Sequence, residues 1–197
     1  PSPPAAYLFA PFFATVCLSI QRMLPDMTAT TIASWAAAIT RTLALHYRQD
    51  PAPLLADLPI DTPRLADPDY RIPVPVMTRL WRQAVAASGD SAFALEVARH
   101  VSPTTFHALG YASMASRNLG EALARILQYA HTVSEVAQLK MEQQGRALWL
   151  WFDLRDDSPE VTDDSLDAFM AALLPVARHY LLLQPQLHAV KLRRAAP

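Results

Sequence analysis

Four glycines in 197 residues, against seventeen prolines, set the first limit on what backbone this chain can build. Glycine supplies positive φ and close backbone approach, while proline is excluded from helix interiors and suits first turns and corners. A chain this poor in glycine has no Gly-x-Gly-x-x-Gly turn and no Gly-Lys-Ser/Thr phosphate loop. The Gly-x-Ser-x-Gly nucleophile elbow is missing too. Phosphate cradles and elbow-type hydrolysis are therefore set aside. Three of the glycines, Gly110, Gly120 and Gly145, fall in "LGYASMASRNLGEALARILQYAHTVSEVAQLKMEQQGRALWLWFDL", a stretch otherwise crowded with helix formers.

The length is enough to bury a core and favours one domain. Seventeen Lys and Arg against eighteen Asp and Glu give a net charge of -1, so there is no basic field to hold nucleic-acid phosphates. The single cysteine, Cys17, leaves no disulfide framework and no multi-cysteine metal knuckle, which fits a cytoplasmic setting. Residues 1–26 contain an apolar run from Tyr7 to Ile20, too short for a confident membrane span and without a preceding basic residue. They read as a leader or added segment, or alternatively as an extra packing arm. Residues 27–197 read as the domain proper.

Along that domain, Thr28, Thr30 and Thr31 offer N-cap oxygens for a helix carrying Ile32, Trp35, Ala36, Ile39, Leu43 and Tyr47 at helical spacing and ending near Arg48. The prolines at 51, 53, 59, 63, 68, 73 and 75 then imply short turns separated by corners, with helix starts at Asp50 and Asp61. Helices are expected over 74–88, about 91–101 and 104–115. Gly110 lies inside the last of these, which marks a close approach by another backbone or by a ligand. Asn118 with Glu121 three positions on predicts a capped helix reaching Ser134. Beyond it the period becomes two: Leu139 and Met141, then Leu148, Leu150, Phe152 and Leu154, with Gly145 between. That pattern is an antiparallel hairpin. A long helix from Asp163 or Asp164, kinked at Pro175, and a strand over 187–194 complete the reading. The fold class is α+β: a mainly helical N-terminal half, then a small sheet built from the hairpin plus a strand-helix-strand crossover.

The residues able to do chemistry do not form a catalytic constellation, and no catalytic, metal or cofactor site is expected. The histidines at 46, 100, 107, 131, 179 and 188 lack metalloprotease spacing. The acidic run over 155–164 sits where a loop and a helix N-terminus normally carry solvated acids. His107 with Tyr111, and His131 with Glu135, are i, i+4 neighbours that either line a pocket or stay half-exposed. Trp149 and Trp151 share the hairpin face opposite Leu148, Leu150 and Phe152, so that face is either covered or kept for a partner. The candidate ligand-binding set is His107, Tyr111, Met114, Arg117, Tyr129, His131, Trp149 and Trp151.

The order of motifs resembles the N-terminal, ligand-sensing domain of AraC/XylS-type transcriptional regulators, the arabinose-binding-like domain. The resemblance runs from about Thr30 to Pro197. It rests on "LLADLPIDTPRLADPDYRIPV", similar to the family's Leu-x-Asp-Pro-Asp-x-Arg-Ile-Pro pattern, on "GDSAFALEVARHVSP", and on the Leu-Gly-Tyr helix at 109–111 followed by "NLGEAL". Ala94 departs from a common glycine, and Arg117-Asn118 from a common Pro-Thr. The resemblance implies a small-molecule metabolite effector, a homodimer, no membrane, and DNA contact only through a helix-turn-helix domain that this chain does not contain. It also implies sheet and helix material beyond Pro197, whose lack would leave an edge open to self-association. Effector binding would act through the Gly110 helix or the helix around Pro175. The other readings are a protein-interaction or dimerisation module with no small-molecule ligand, and an enzyme, which the sequence supports least.

Overall fold

The computed structural model describes residues 28–145, 147–155 and 160–180. The chain opens with a short strand, β1 (Thr30–Ile32), instead of the predicted helix start. Helix α1 (Ser34–Leu45) follows, entered through Ala33 with no side-chain cap. The threonines are drawn into pairing: Thr31 lies opposite Ile72 of β2 (Arg71–Pro73), antiparallel. Tertiary pairing has overridden the local capping signal. The apolar spacing still holds, since Trp35, Ala36, Ile39 and Leu43 are all buried.

Between α1 and β2 lie a short helix, α2 (Ala52–Ala56), and a 3-10 turn over Thr62–Ala66. Asp50 Oδ1 accepts from the Ala52 N–H at 2.9 Å, as its position before a proline corner predicts. The "LADPDYRIP" run is rigid for identifiable reasons. Asp67 accepts from Arg64 and from the Asp69 N–H, and the Tyr70 hydroxyl accepts from the Asp61 N–H. Arg71 then clasps three oxygens: Thr30 Oγ1 at 2.7 Å, the Thr132 carbonyl at 2.7 Å and the Thr30 carbonyl at 3.1 Å. Glu135 Oε2 completes the knot by accepting from the Thr30 N–H and Thr30 Oγ1. Charge-assisted bonds of this kind contribute about 1.5–3 kcal/mol. Arg71→Ala is expected to lower stability by about 2 kcal/mol, and Arg71→Lys to recover only part of it, because a single ammonium cannot span the three oxygens. Urea unfolding of the two variants checks this.

Helix α3 (Val74–Ser88) begins on Pro73 and ends at Gly89, as the sequence predicts. Asp90 accepts from Tyr47 Oη at 2.7 Å and from the Ala92 N–H at 2.8 Å, which leads the chain into α4 (Phe93–Arg99) with Phe93 fully buried. Tyr47 in turn holds the Asp90 carboxyl below the usual range.

The predicted helix over 104–115 is broken. A 3-10 turn over Pro103–Phe106 is followed by α5 (His107–Met114), with His107 at φ 49° on the joint. Helix α6 (Leu119–Val133) starts as expected, Asn118 Oδ1 accepting from the Glu121 N–H at 2.9 Å. The reciprocal bond is displaced by one residue: Glu121 Oε2 accepts from the Arg117 N–H, not from that of Asn118. Asn118→Ala should cost about 1 kcal/mol, read as a lower urea midpoint at unchanged slope.

Strands β3 (Ala137–Gln144) and β4 (Ala147–Leu154) form the predicted hairpin, Gln144 opposite Ala147 and Gly145 at φ 62°. Leu139, Leu150 and Phe152 pack on the core from one face. Helix α7 (Asp163–Ala172) is capped by Thr162, whose oxygen accepts from the Ser165 N–H; the expected starters Asp163 and Asp164 occupy its first turn instead. The chain breaks at Leu173 and resumes as α8 (Leu174–Tyr180). Pro175 therefore sits in a first turn, where its missing N–H costs least, and the bend comes just before it. The strand expected over 187–194, and with it the crossover, lies outside the described residues. Among those residues the sheets are two separate pairs, β1 with β2 and β3 with β4. The β1–β2 pair, joined to Ser134 by one bridge from Thr31, is the element the sequence did not reveal.

One core runs through all of this. Trp35 is its hub, with ring centroids 5.6 Å from Phe106 and 6.4 Å from both Trp81 and Phe169. Phe169 on α7 in turn meets Phe152 of the hairpin at 4.9 Å.

Candidate functional site

A cavity of about 50 Å³ opens where the hairpin, α3 and α7 converge. Met77, Thr78 and Trp81 line it from α3, Phe152 and Leu154 from β4, Ser165 and Phe169 from α7, with Trp35 from α1. A second cavity, about 30 Å³, lies beyond Phe169, between α5, α6 and the α7–α8 bend. Phe106, Leu109, Gly110 and Ile126 meet Leu173 and Val176 around it. Phe169 is the residue common to both linings.

No charged side chain lines either cavity. The polar groups of the lining residues are the indole N–H groups of Trp35 and Trp81 and the hydroxyls of Thr31, Thr78, Ser134 and Ser165 in the first cavity and Ser102 and Ser113 in the second. Four of these six hydroxyl protons are committed. Thr31 donates to the Val133 carbonyl at 2.9 Å, Thr78 to the Glu160 carbonyl at 2.8 Å and Ser165 to the Thr162 carbonyl at 2.8 Å. In the second cavity, Ser113 donates to the Leu109 carbonyl at 2.7 Å. These oxygens still accept hydrogen bonds, since a hydroxyl has two lone pairs. General acid–base work has no titratable group here to carry it. Among the described residues, no cluster of His, Cys, Asp and Glu is arranged to hold a metal ion.

The predicted site residues are not brought together. His107 is half-buried, its Nε2 at 3.3 Å from Ser34 Oγ, while Ser34 donates to the Thr105 carbonyl. Tyr111, at 62% exposure, and Arg117 lie on the outside; Met114 is half-buried. Arg117 is held by Glu121 at 3.0 Å. Tyr129 and His131 are exposed with ring centroids 6.4 Å apart. Trp149 and Trp151 stack at 5.9 Å on the outer hairpin face, opposite Glu142 and Lys140. None of them lines either cavity. Gly110, singled out in the sequence for close approach, does line the second one.

Among the described carboxylates, Glu121 is the one whose titration is most displaced. The hydrogen bond from Arg125, then those from the Arg117 backbone and guanidinium, hold its carboxyl down at about 2. A depressed carboxyl stabilises the fold above its unfolded pKa, about 4.3, and that contribution is lost as pH falls toward 2. Melting temperatures of the wild type and Glu121→Gln should therefore converge over that interval and differ by a constant amount above it.

The fold and its cavities define a class: a mainly helical α+β domain whose core opens on uncharged, largely apolar cavities. Residues 49–197 match the family described as the arabinose-binding domain of AraC transcription regulators, N-terminal, and the chain belongs to that family. It is a family of ligand-binding regulatory domains, not of enzymes. No curated protein matches the sequence. No helix among the described residues is long and apolar enough to cross a membrane.

Proposed function

We propose that this chain is the effector-sensing part of an AraC-type regulator, that it binds a small molecule in the cavity between the hairpin, α3 and α7, and that it works in the cytoplasm. The observation that carries this reading is the convergence of five separately positioned elements, β1, α1, α3, β4 and α7, on one uncharged space. A ligand there touches α3, β4 and α7 together, so it favours whichever arrangement of them fits it better. The effect reaches α8 through the bend at Leu173, which lies on the second cavity. Self-association and control of an attached helix-turn-helix domain belong to the same proposal. We assign the domain to residues 27–197, and the ligand contacts to Trp35, Thr78, Trp81, Ser165 and Phe169 in preference to the residues picked out in sequence.

The test is a thermal-shift screen of the purified chain against sugars, amino acids, polyamines, alcohols and aromatic acids. A native-state ligand at 100 times its Kd adds about 2.7 kcal/mol, and a saturable shift with one class supports the sensor. The stacked tryptophans on the outer hairpin face favour a second reading, a protein-interaction module. A well-folded sample that responds to no class, and whose light-scattering mass changes on Trp151→Ala, would favour that module instead.

A further inference from the structure

We infer that the outer face of the β3–β4 hairpin is where a second copy of this chain docks, about a two-fold axis lying between the Lys140–Trp151 row and the Glu142–Trp149 row. This rests on the self-association proposed above and not on the cavity.

The register fixes what that face presents. Residues directly opposite in an antiparallel pair point to the same side, so Gln138 with Asp153, Lys140 with Trp151 and Glu142 with Trp149 share the face turned away from the core. All are exposed except Trp149, which is half-buried. The two tryptophan rings lie 5.9 Å apart at 19°. The other face packs on the core through Leu139, Leu150 and Phe152. A hairpin covered on one side normally alternates apolar inside with polar outside, and two large aromatic rings on the outer side break that alternation. Tryptophan is enriched at protein interfaces, where its ring supplies contact area.

The charges decide which partner fits. Lys140 and Glu142 stand in adjacent rows about 6.8 Å apart along the strand. Among the described residues neither is in an ion pair. A two-fold interface brings the same patch together from both subunits. With the axis running across the strands between these two rows, β3 lies antiparallel over its own copy, an aligned packing usual for stacked sheets. Lys140 then faces Glu142 of the second copy, and Glu142 faces its Lys140. The same operation sets Trp149 against Trp151 in both directions, so four rings close together beside two ion pairs. A different protein would have to match a row order that this chain matches by symmetry alone.

Size bounds the strength. Each strand has eight residues. The face is therefore about 27 Å long and 10 Å wide, and two such faces bury on the order of 800 Å² in total, half of a standard interface. The dimer is weak and reversible, with a Kd of about 10–100 µM. Strand β4 thus carries the wall of the first cavity, Phe152 and Leu154, on one side and the partner on the other.

The test is sedimentation equilibrium of the full chain from about 1 to 500 µM in about 50 mM salt, where surface charges are little screened. The mass should rise from 21.8 kDa toward twice that value. Lys140→Glu and Glu142→Lys, each of which sets like charges face to face twice, should weaken association at least about tenfold, and Trp151→Ala should do the same. Both charged side chains are exposed, so the charge variants should keep the wild-type urea midpoint. Combining the two exchanges in one chain should return the Kd to within about threefold of the wild type. An equimolar mixture of the two single-charge variants should associate where neither does alone. A dimer indifferent to all three single substitutions would overturn the inference and leave self-association on another surface, such as the hairpin edge. Single variants that weaken the dimer and are not restored by the combined exchange would overturn it too. A monomer at every concentration would remove self-association along with it, and leave this face to a different protein or to another part of the regulator.

Discussion

Gly110→Val should unfold this domain or bring it close to unfolding, and Gly110→Ala should already lower its stability by about 3 kcal/mol. A Cβ at this position would lie 1.7 Å from the Pro103 carbonyl oxygen, 2.6 Å from its carbon and 3.1 Å from Pro103 Cα. All three are backbone atoms of the 3-10 turn that leads into α5. They cannot rotate away as a side chain can, so α5 and the turn must separate. For a chain of this size the loss corresponds to a melting-temperature drop of roughly 6–12 °C. Gly120→Ala is the matched control. Its Cβ would approach only the Asn118 side-chain oxygen, at 3.3 Å. A small gain in helix propensity then opposes a small disturbance of the cap, and the net effect should stay within about 0.5 kcal/mol. Equal melting temperatures for the two alanine variants would show that the close approach at Pro103 is not needed by the fold.

Gly110 also shows how much of this fold is written in its sequence. A glycine inside a helical stretch announced a close approach, and the alternatives were a neighbouring backbone or a ligand. The partner is the backbone of Pro103, seven residues earlier, and the same glycine also lines the second cavity. Helices α3 and α6 and the hairpin were legible because their periods and caps agree with their tertiary surroundings. The β1–β2 pair was not. Three-residue strands carry too little alternation to register, and the threonines of β1 signalled a helix cap more strongly.

The candidate site was illegible for a different reason. The candidates that sequence offers are histidine, tyrosine, arginine, methionine and tryptophan, most of them residues that advertise chemistry or recognition. The hydroxyls lining the first cavity come from Thr31, Thr78, Ser134 and Ser165, four distant segments with no spacing to connect them. Phe169 read as ordinary core, and it is core; its position between two voids appears only when α5, α6 and the hairpin are assembled around it.

A chain beginning at residue 49, where the family match begins, is expected not to fold, although the match covers most of the sequence. Helix α1 would be lost with it, and its buried face, Trp35, Ala36, Ile39 and Leu43, is at most 5% exposed. Trp35 joins α3, the Phe106 turn and α7 through its contacts with Trp81, Phe106 and Phe169, so its removal opens the core at the wall of the first cavity. Within the intact chain, Trp35→Ala should cost about 3–5 kcal/mol, and Trp35→Phe much less, because it keeps an aromatic ring against the same neighbours. Circular dichroism and urea unfolding separate the cases. The truncated chain should show no cooperative transition, Trp35→Ala a transition at much lower urea, and Trp35→Phe one near the wild type. A cooperative, wild-type-like transition from the truncated chain would place the domain boundary at residue 49 and make α1 an appendage. The expected outcome makes α1 part of the domain, with one wall of the first cavity supplied by residues that lie before the family match.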